Sequence, residues 1–205
     1  MGLSKQALEA SITAVAKSEP RVAAALKDIG LPEPRSRPTG YETILRTIVG
    51  QQISVKAAAS VWAKLEAAFS DLTQPAIILA ADEDALRACG LSRQKQGYAR
   101  SLAGLVQSGE LDLNNLPKDD EEAIALLTRA KGIGRWSAEI YLLFAEGRPD
   151  IWPAGDLAVQ IALGRILGLE DRPNEKQTRE IAEPWRPHRG AMAIFAWHHY
   201  NIQAI

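Results

Sequence analysis

A single cysteine, Cys89, is the only thiol in the chain. Within this chain that excludes a disulfide, a four-thiolate zinc site and an iron–sulfur cluster held by cysteines. Long apolar runs are missing too. None approaches the roughly 20 residues needed to span a bilayer, and the opening MGLSKQALEASITAVAK lacks the continuous apolar core of a secretory leader. Gly2 follows the first Met, but Gln6 stands where a myristoylation signal wants Ser or Thr, which argues against lipidation. Neither sign of charge is in excess, since 24 Lys and Arg meet 25 Asp and Glu. Polyanion binders usually carry a basic footprint, so a nucleic-acid partner would have to be held by a local patch and backbone amides. The remaining composition, 46% hydrophobic and 24% charged over 205 residues, is that of a globular protein with room for a buried core.

Alanine and leucine dominate, and alternating β-branched segments bounded by turns are scarce, so the chain reads as all-α. Helical patterns cover 4–17, a short piece from Pro20 to Leu26, then 41–49 and 54–69. Between them LPEPRSRPTG (31–40) is an extended linker. In the 54–69 segment Val55, Ala58, Trp62, Leu65 and Phe69 fall on one face. Short pieces follow at Thr73–Ala80 and Glu83–Ala88, then a helix over Lys95–Ser108 and one over 119–129 that opens on DDEE, which suits the positive end of a helix dipole. Helix is expected again from Arg135 to Phe144, Leu157 to Leu167, Glu175 to Glu183 and Gly190 to Tyr200, with a loop at 147–156. Trp62 and Trp185 read as packing residues, Trp152 as either core or site, and His198 and His199 as structural. Arg93, Lys95 and Arg100 suit either phosphate contacts or a solvated face.

Two features carry chemistry. KGIG (131–134) places two glycines between helical patterns, so the turn can be tight and a ligand can reach the backbone. Gly132, Ile133 and Gly134 would then offer amides at the start of the next helix, where donors lack intrahelical partners and the dipole favours an anion. Lys131 and Arg135 would add charge on either side. An ordinary helix–helix turn fits the same pattern. Further on, Asp156 follows Pro-Ala-Gly and precedes an apolar helical pattern, the position of an N-cap. It can be only a cap, or a carboxylate that stabilises an oxocarbenium-like sugar. Asp150 is the competing acid in that loop.

Four blocks together, YETILRTIVGQQISVKAA (41–58), GLSRQKQGYARSLA (90–103), KGIGRWSAEIYLLFAEGRPDIWPAGDLAVQ (131–160) and PWRPHRGAMAIFAWHHY (184–200), resemble the helix-hairpin-helix DNA glycosylases. The similarity is greatest to AlkA-type 3-methyladenine DNA glycosylases, in a short form without their N-terminal β-rich domain. The resemblance implies one glycosylase domain over 1–205, made of two helical subdomains with an active-site cleft between them. The central one is 36–145, with the hairpin at 127–140, and the second is 1–35 plus 146–205.

It further implies a monofunctional enzyme that flips out and hydrolytically excises alkylated purines from double-stranded DNA, leaving an abasic site. Asp156 falls on the family's essential aspartate, and Gly132, Ile133 and Gly134 on its phosphate-binding hairpin, flanked by Lys131 and Arg135. Trp136, Trp197, Ile140 and Tyr41 fall on positions lining the base pocket. Gln52 and Ile53, followed by Ser54, fall where the family inserts a wedge into the duplex. Strand-cutting relatives carry a nucleophilic lysine at position 136; a tryptophan there cannot form a Schiff base. Rival readings are a glycosylase/lyase for oxidised bases and a hairpin module that binds DNA without catalysis. No cofactor or required metal is implied, although the hairpin carbonyls of Thr128, Ala130 and Ile133 could hold Na+ or K+. A monomer in a bacterial cytoplasm, nucleoid-associated through DNA and without membrane attachment, is the implied setting. His188 and Gly190 in PHRG, and Ile140 where a tyrosine can stand, depart from the family's pattern at the pocket edge.

Overall fold

Helix-forming composition closes twelve α-helices, and no strand is found among the described residues, 2–203, of this computed structural model. The chain divides into two compact units, Pro38–Tyr141 and Met1–Arg37 with Leu142–Ile205.

Seven helices belong to Pro38–Tyr141: α3 (Tyr41–Gly50), α4 (Val55–Ala68), α5 (Pro75–Ala80), α6 (Glu83–Ala88), α7 (Arg93–Gln107), α8 (Asp120–Leu127) and α9 (Arg135–Tyr141). α3 is the hub, packing on α4, α7 and α9 and burying Ile44, Leu45, Ile48 and Val49. In α4 the expected stripe begins later than its spacing suggests. Val55 is 89% exposed, and only Trp62 and Leu65 are buried. Val55 is the first helical residue after the cap Ser54, ahead of the turns that pack on α3. Trp62 is core, with Arg46 stacked 3.9 Å from its ring centroid and its indole N–H donating to Glu66 at 2.6 Å. The acidic start of α8 is capped by Asp119, whose side chain accepts from the Glu122 N–H at 2.9 Å.

The second unit holds α1 (Lys5–Ser18), α2 (Pro20–Ile29), α10 (Leu157–Ile166), α11 (Glu175–Ala182) and α12 (Arg189–Gln203). Residues 191–196 of α12 are all buried, and the helix packs on α10, α1 and α2. Trp152 and Trp185 are core, meeting edge to face at 5.9 Å. His199 is buried, and His198 makes a hydrogen bond to the Ile29 carbonyl at 3.2 Å. The helix expected from Arg135 to Phe144 keeps α geometry only to Tyr141. Leu142–Glu146 form a wider π-turn, a form concentrated at functional sites, and no glycine or proline announces it.

Candidate nucleic-acid interface and catalytic carboxylate

Within Pro38–Tyr141, the hairpin lies between α8 and α9. Ala130 and Ile133 close it with a backbone hydrogen bond of 3.0 Å, and Ile133 is buried as its anchor. The two glycines are there for different reasons. Gly132 has φ +84°, and a Cβ would lie 2.2 Å from the Tyr98 ring, so only glycine fits. Gly134 has an ordinary φ and nothing within 4 Å of where a Cβ would stand. Nothing in the fold requires glycine at 134. Its carbonyl accepts from Ala138 N–H at 3.1 Å, which opens α9. The N–H groups of Gly132 and Gly134 donate no hydrogen bond among the described residues. They remain available to an external acceptor, whereas the Lys131 N–H is taken by the Ser101 hydroxyl at 3.1 Å.

Charge around the hairpin differs from expectation. Arg135 donates to Glu121 at 2.8 Å and to the buried Glu139 at 2.9 Å. Hydrogen bonding to Glu121 holds its guanidinium more firmly protonated, over the opposing cost of burial. Two carboxylates therefore offset the positive charge that the spacing assigned to a phosphate. Lys131 is exposed and makes no ion pair among the described residues. Lys95 and Arg100 are half-buried and hydrogen-bonded to helix ends. Lys95 donates to the Val49 carbonyl at the end of α3 at 2.7 Å, and Arg100 donates to Leu79 and Ala81 carbonyls at the end of α5 at 3.1 and 2.6 Å.

Between α3 and α4 the chain turns through residues 51–54. Gln52 has φ +57°, the one left-handed residue other than glycine among those described, at a cost of roughly 1–2 kcal/mol. Such strain persists where surroundings over-determine it, and it concentrates at functional positions. Gln52 is exposed and Ile53 is 40% exposed, so both side chains project from the turn. Ser54 is the N-cap of α4, accepting from the Ala57 N–H at 3.2 Å. Trp136, on α9, is 47% exposed, a large apolar surface for a folded protein. Ile140 and Tyr41 are buried instead. The Tyr41 hydroxyl has no hydrogen-bond partner among the described residues, and burial pushes its pKa above the usual tyrosine value.

Asp156 belongs to the other unit and is the N-cap of α10. Its Oδ1 accepts from the Val159 N–H at 3.0 Å and from the Trp197 indole N–H at 3.1 Å. Trp197 is half-buried and stacks on Phe144 at 5.6 Å with a 31° tilt. The carboxylate is thus fixed by a helix end and by an aromatic ring that is itself wedged.

The loop that carries it is anchored repeatedly. Gln160 donates to the Ala154 carbonyl at 2.8 Å, and the Trp152 indole to the Thr178 carbonyl at 3.0 Å. Asp150 takes a fork from Arg189 at 2.9 and 2.8 Å and a further bond from Arg186. Burial acts to raise its pKa, but the Arg189 hydrogen bonds and the two guanidinium charges outweigh it and hold the pKa below the ordinary carboxylate value. Its oxygens are committed to arginines. Gly190 explains the PHRG departure. Its N–H donates to the Pro149 carbonyl at 2.8 Å, and a Cβ there would stand 2.6 Å from that oxygen. His188 faces the Ser11 hydroxyl at 3.2 Å.

Sequence reasoning passed over Gln51 and Tyr98. The Gln51 amide donates to the Gly132 carbonyl at 2.7 Å, and Tyr98 fills the space beside Gly132. A glutamine at a helix end beside an exposed turn has no pattern of its own.

Comparison with known proteins identifies the family. A family model described as the HhH-GPD superfamily base excision DNA repair protein matches residues 45–187. DNA-3-methyladenine glycosylase 1 of Schizosaccharomyces pombe is 30% identical over 161 residues, covering 77% of this chain and 71% of its own. The crystal structure of a DNA-3-methyladenine glycosidase from Bacillus halodurans superposes with a TM-score of 0.86 at 27% identity, over 95% of this chain and 90% of that one. The S. pombe 3-methyladenine DNA glycosylase bound to abasic DNA gives 0.76 at 26% identity, over 95% and 97%. With a family model matching well over half its length, the chain belongs to the HhH-GPD superfamily of base excision DNA repair proteins.

Proposed function

We propose that this protein is a monofunctional DNA glycosylase that releases alkylated purines of the 3-methyladenine and 7-methylguanine type and leaves an abasic site. The observation that carries this reading is Asp156, a carboxylate fixed through Oδ1 by the Val159 and Trp197 N–H groups on a tightly anchored loop. The names of its relatives, 3-methyladenine glycosylases from yeast and bacteria, support the choice of base.

The target base is buried in the duplex and must be flipped out, at a few kcal/mol that damage lowers. Gln52 and Ile53 on the strained turn are the side chains for the gap left behind. The Gly132 and Gly134 amides with Lys131 take a backbone phosphate, a contact that reads no sequence. Alkylation at N3 or N7 makes the purine cationic and a good leaving group. The exposed indole of Trp136 attracts such a cation by roughly 0.5–2 kcal/mol. As the glycosidic bond breaks, its electron pair leaves with the base and positive charge grows on the sugar. The Asp156 carboxylate stabilises that charge and receives a proton from the attacking water. No protein nucleophile is involved, in keeping with a tryptophan at 136.

Double-stranded DNA with damaged bases is then the partner, the enzyme acts as a monomer in the cytoplasm, and no organic cofactor takes part. A monovalent cation on the carbonyls of Thr128, Ala130 and Ile133 belongs to the same reading. The test is incubation with methylated DNA and identification of each released base. Release of 3-methyladenine or 7-methylguanine is expected. A covalent adduct trapped by borohydride would overturn the monofunctional mechanism.

A further inference from the structure

The block GLSRQKQGYARSLA has no role in the chemistry above, yet its helix reaches both DNA-facing turns of Pro38–Tyr141. Lys95, Tyr98 and Ser101 recur at three-residue spacing along α7, one face of a helix. Lys95 holds the last turn of α3 through Val49. Tyr98 fills the space beside Gly132, its hydroxyl accepting from the Gln94 amide at 2.5 Å, and Ser101 takes the Lys131 N–H. One helix face thus carries the end of α3 and the hairpin. The two are then tied directly: Gln51, where α3 ends and the exposed turn begins, donates to the Gly132 carbonyl at 2.7 Å across 81 positions of sequence.

We propose that Gln51 is a positioning residue, whose amide locks the 51–54 turn to the hairpin so that phosphate grip and wedge insertion act as one rigid body on α7. This rests on the function proposed above, which gives the two turns their roles. The reasoning is geometric. A wedge is effective only if its side chains arrive at a fixed offset from the phosphate that the hairpin holds. The left-handed Gln52 points the turn outward, and without a cross-tie that backbone would relax toward an ordinary conformation. The tie must be a donor, because the hairpin presents a carbonyl. Glutamine suits it, and glutamate, of the same length, would set charge against that oxygen.

Two measurements on the full chain test the proposal, with Gln51→Ala and Gln51→Glu. In the free protein, hydrogen exchange should quicken in residues 129–134 as well as near the substituted position. An unchanged hairpin overturns the coupling. In single-turnover excision of a methylated base, the duplex rate should fall about threefold to tenfold further than the single-strand rate, the size of one lost hydrogen bond. A single strand has no stacked gap to fill, and its rate also reports whether the variant is folded. Equal losses on both substrates would overturn the positioning role. Should the wild-type protein release no methylated base from either substrate, the proposed function falls, and the exchange comparison still decides the coupling.

Discussion

Replacing Asp156 separates its two possible roles. As an N-cap its Oδ1 accepts the Val159 N–H at 3.0 Å, and it also accepts the Trp197 indole at 3.1 Å. Asparagine caps helices as well as aspartate and keeps an oxygen for both donors, so Asp156→Asn should change stability by less than about 0.5 kcal/mol. Asp156→Ala loses the cap, about 1 kcal/mol, and leaves the half-buried indole without an acceptor, about another 1 kcal/mol. For a chain of this size that sum lowers Tm by roughly 4–8 °C. Catalysis should respond in another order. On the proposed mechanism both variants lose the charge that stabilises the sugar cation, worth on the order of 100-fold to 1000-fold in rate when one such group is removed. Thermal unfolding and single-turnover release of 3-methyladenine, measured on the same preparations, give both numbers. An Asp156→Asn protein that unfolds like wild type and excises within threefold of it would leave Asp156 as a cap and nothing more.

Other expectations are as specific. Gly132→Ala should destabilise the fold by roughly 2 kcal/mol through its positive φ and the Tyr98 ring, whereas Gly134→Ala should leave Tm unchanged and weaken binding to abasic DNA. Equal affinity of the Gly134→Ala and wild-type proteins by fluorescence anisotropy would remove the phosphate role. Asp150→Asn should cost roughly 1–3 kcal/mol at neutral pH by breaking the Arg189 fork. Because the folded-state pKa of Asp150 is depressed, its contribution is complete above the ordinary aspartate value of about 3.9 and lost as pH falls through the lower folded value. Denaturant titrations of wild type and Asp150→Asn should therefore converge only in strong acid; convergence near pH 6 would contradict the pairing. Finally, with Lys131 as the main unpaired cation at the hairpin, log Kd for abasic DNA should rise with log salt at a slope of only about 1–2. A slope near 5 would mean that a basic surface elsewhere carries the binding.

Much of the fold was legible because alanine- and leucine-rich helices bury periodic faces, and the N-cap at Asp156 could be read from its neighbours alone. What escaped depends on partners far apart in the chain. Val55 has the right spacing for a buried stripe, yet it sits one residue inside its helix, before the packing begins. Arg135 has the right neighbours for a phosphate, but Glu121 lies fourteen positions upstream and takes its charge. Gln51 shows no pattern because its partner is a backbone carbonyl 81 positions away. The π-turn at 142–146 lies in a segment, LLFAE, whose pattern does not distinguish it from the α-helix that precedes it.

The balanced net charge, which at first counts against a DNA partner, looks different once several of the cations are followed to their contacts. Arg46 holds Glu42 and Glu66, Arg129 holds Glu110, and Arg135 holds Glu121 and Glu139. Lys95 and Arg100 cap helix carbonyls. In Pro38–Tyr141 these five basic residues are structural, so a census of charge says little about binding. On the function proposed above, a surface that held DNA by two backbone amides, a strained turn and one exposed indole would need little net charge. It would need those groups at fixed offsets, since a misplaced amide cannot be compensated by a long-range field.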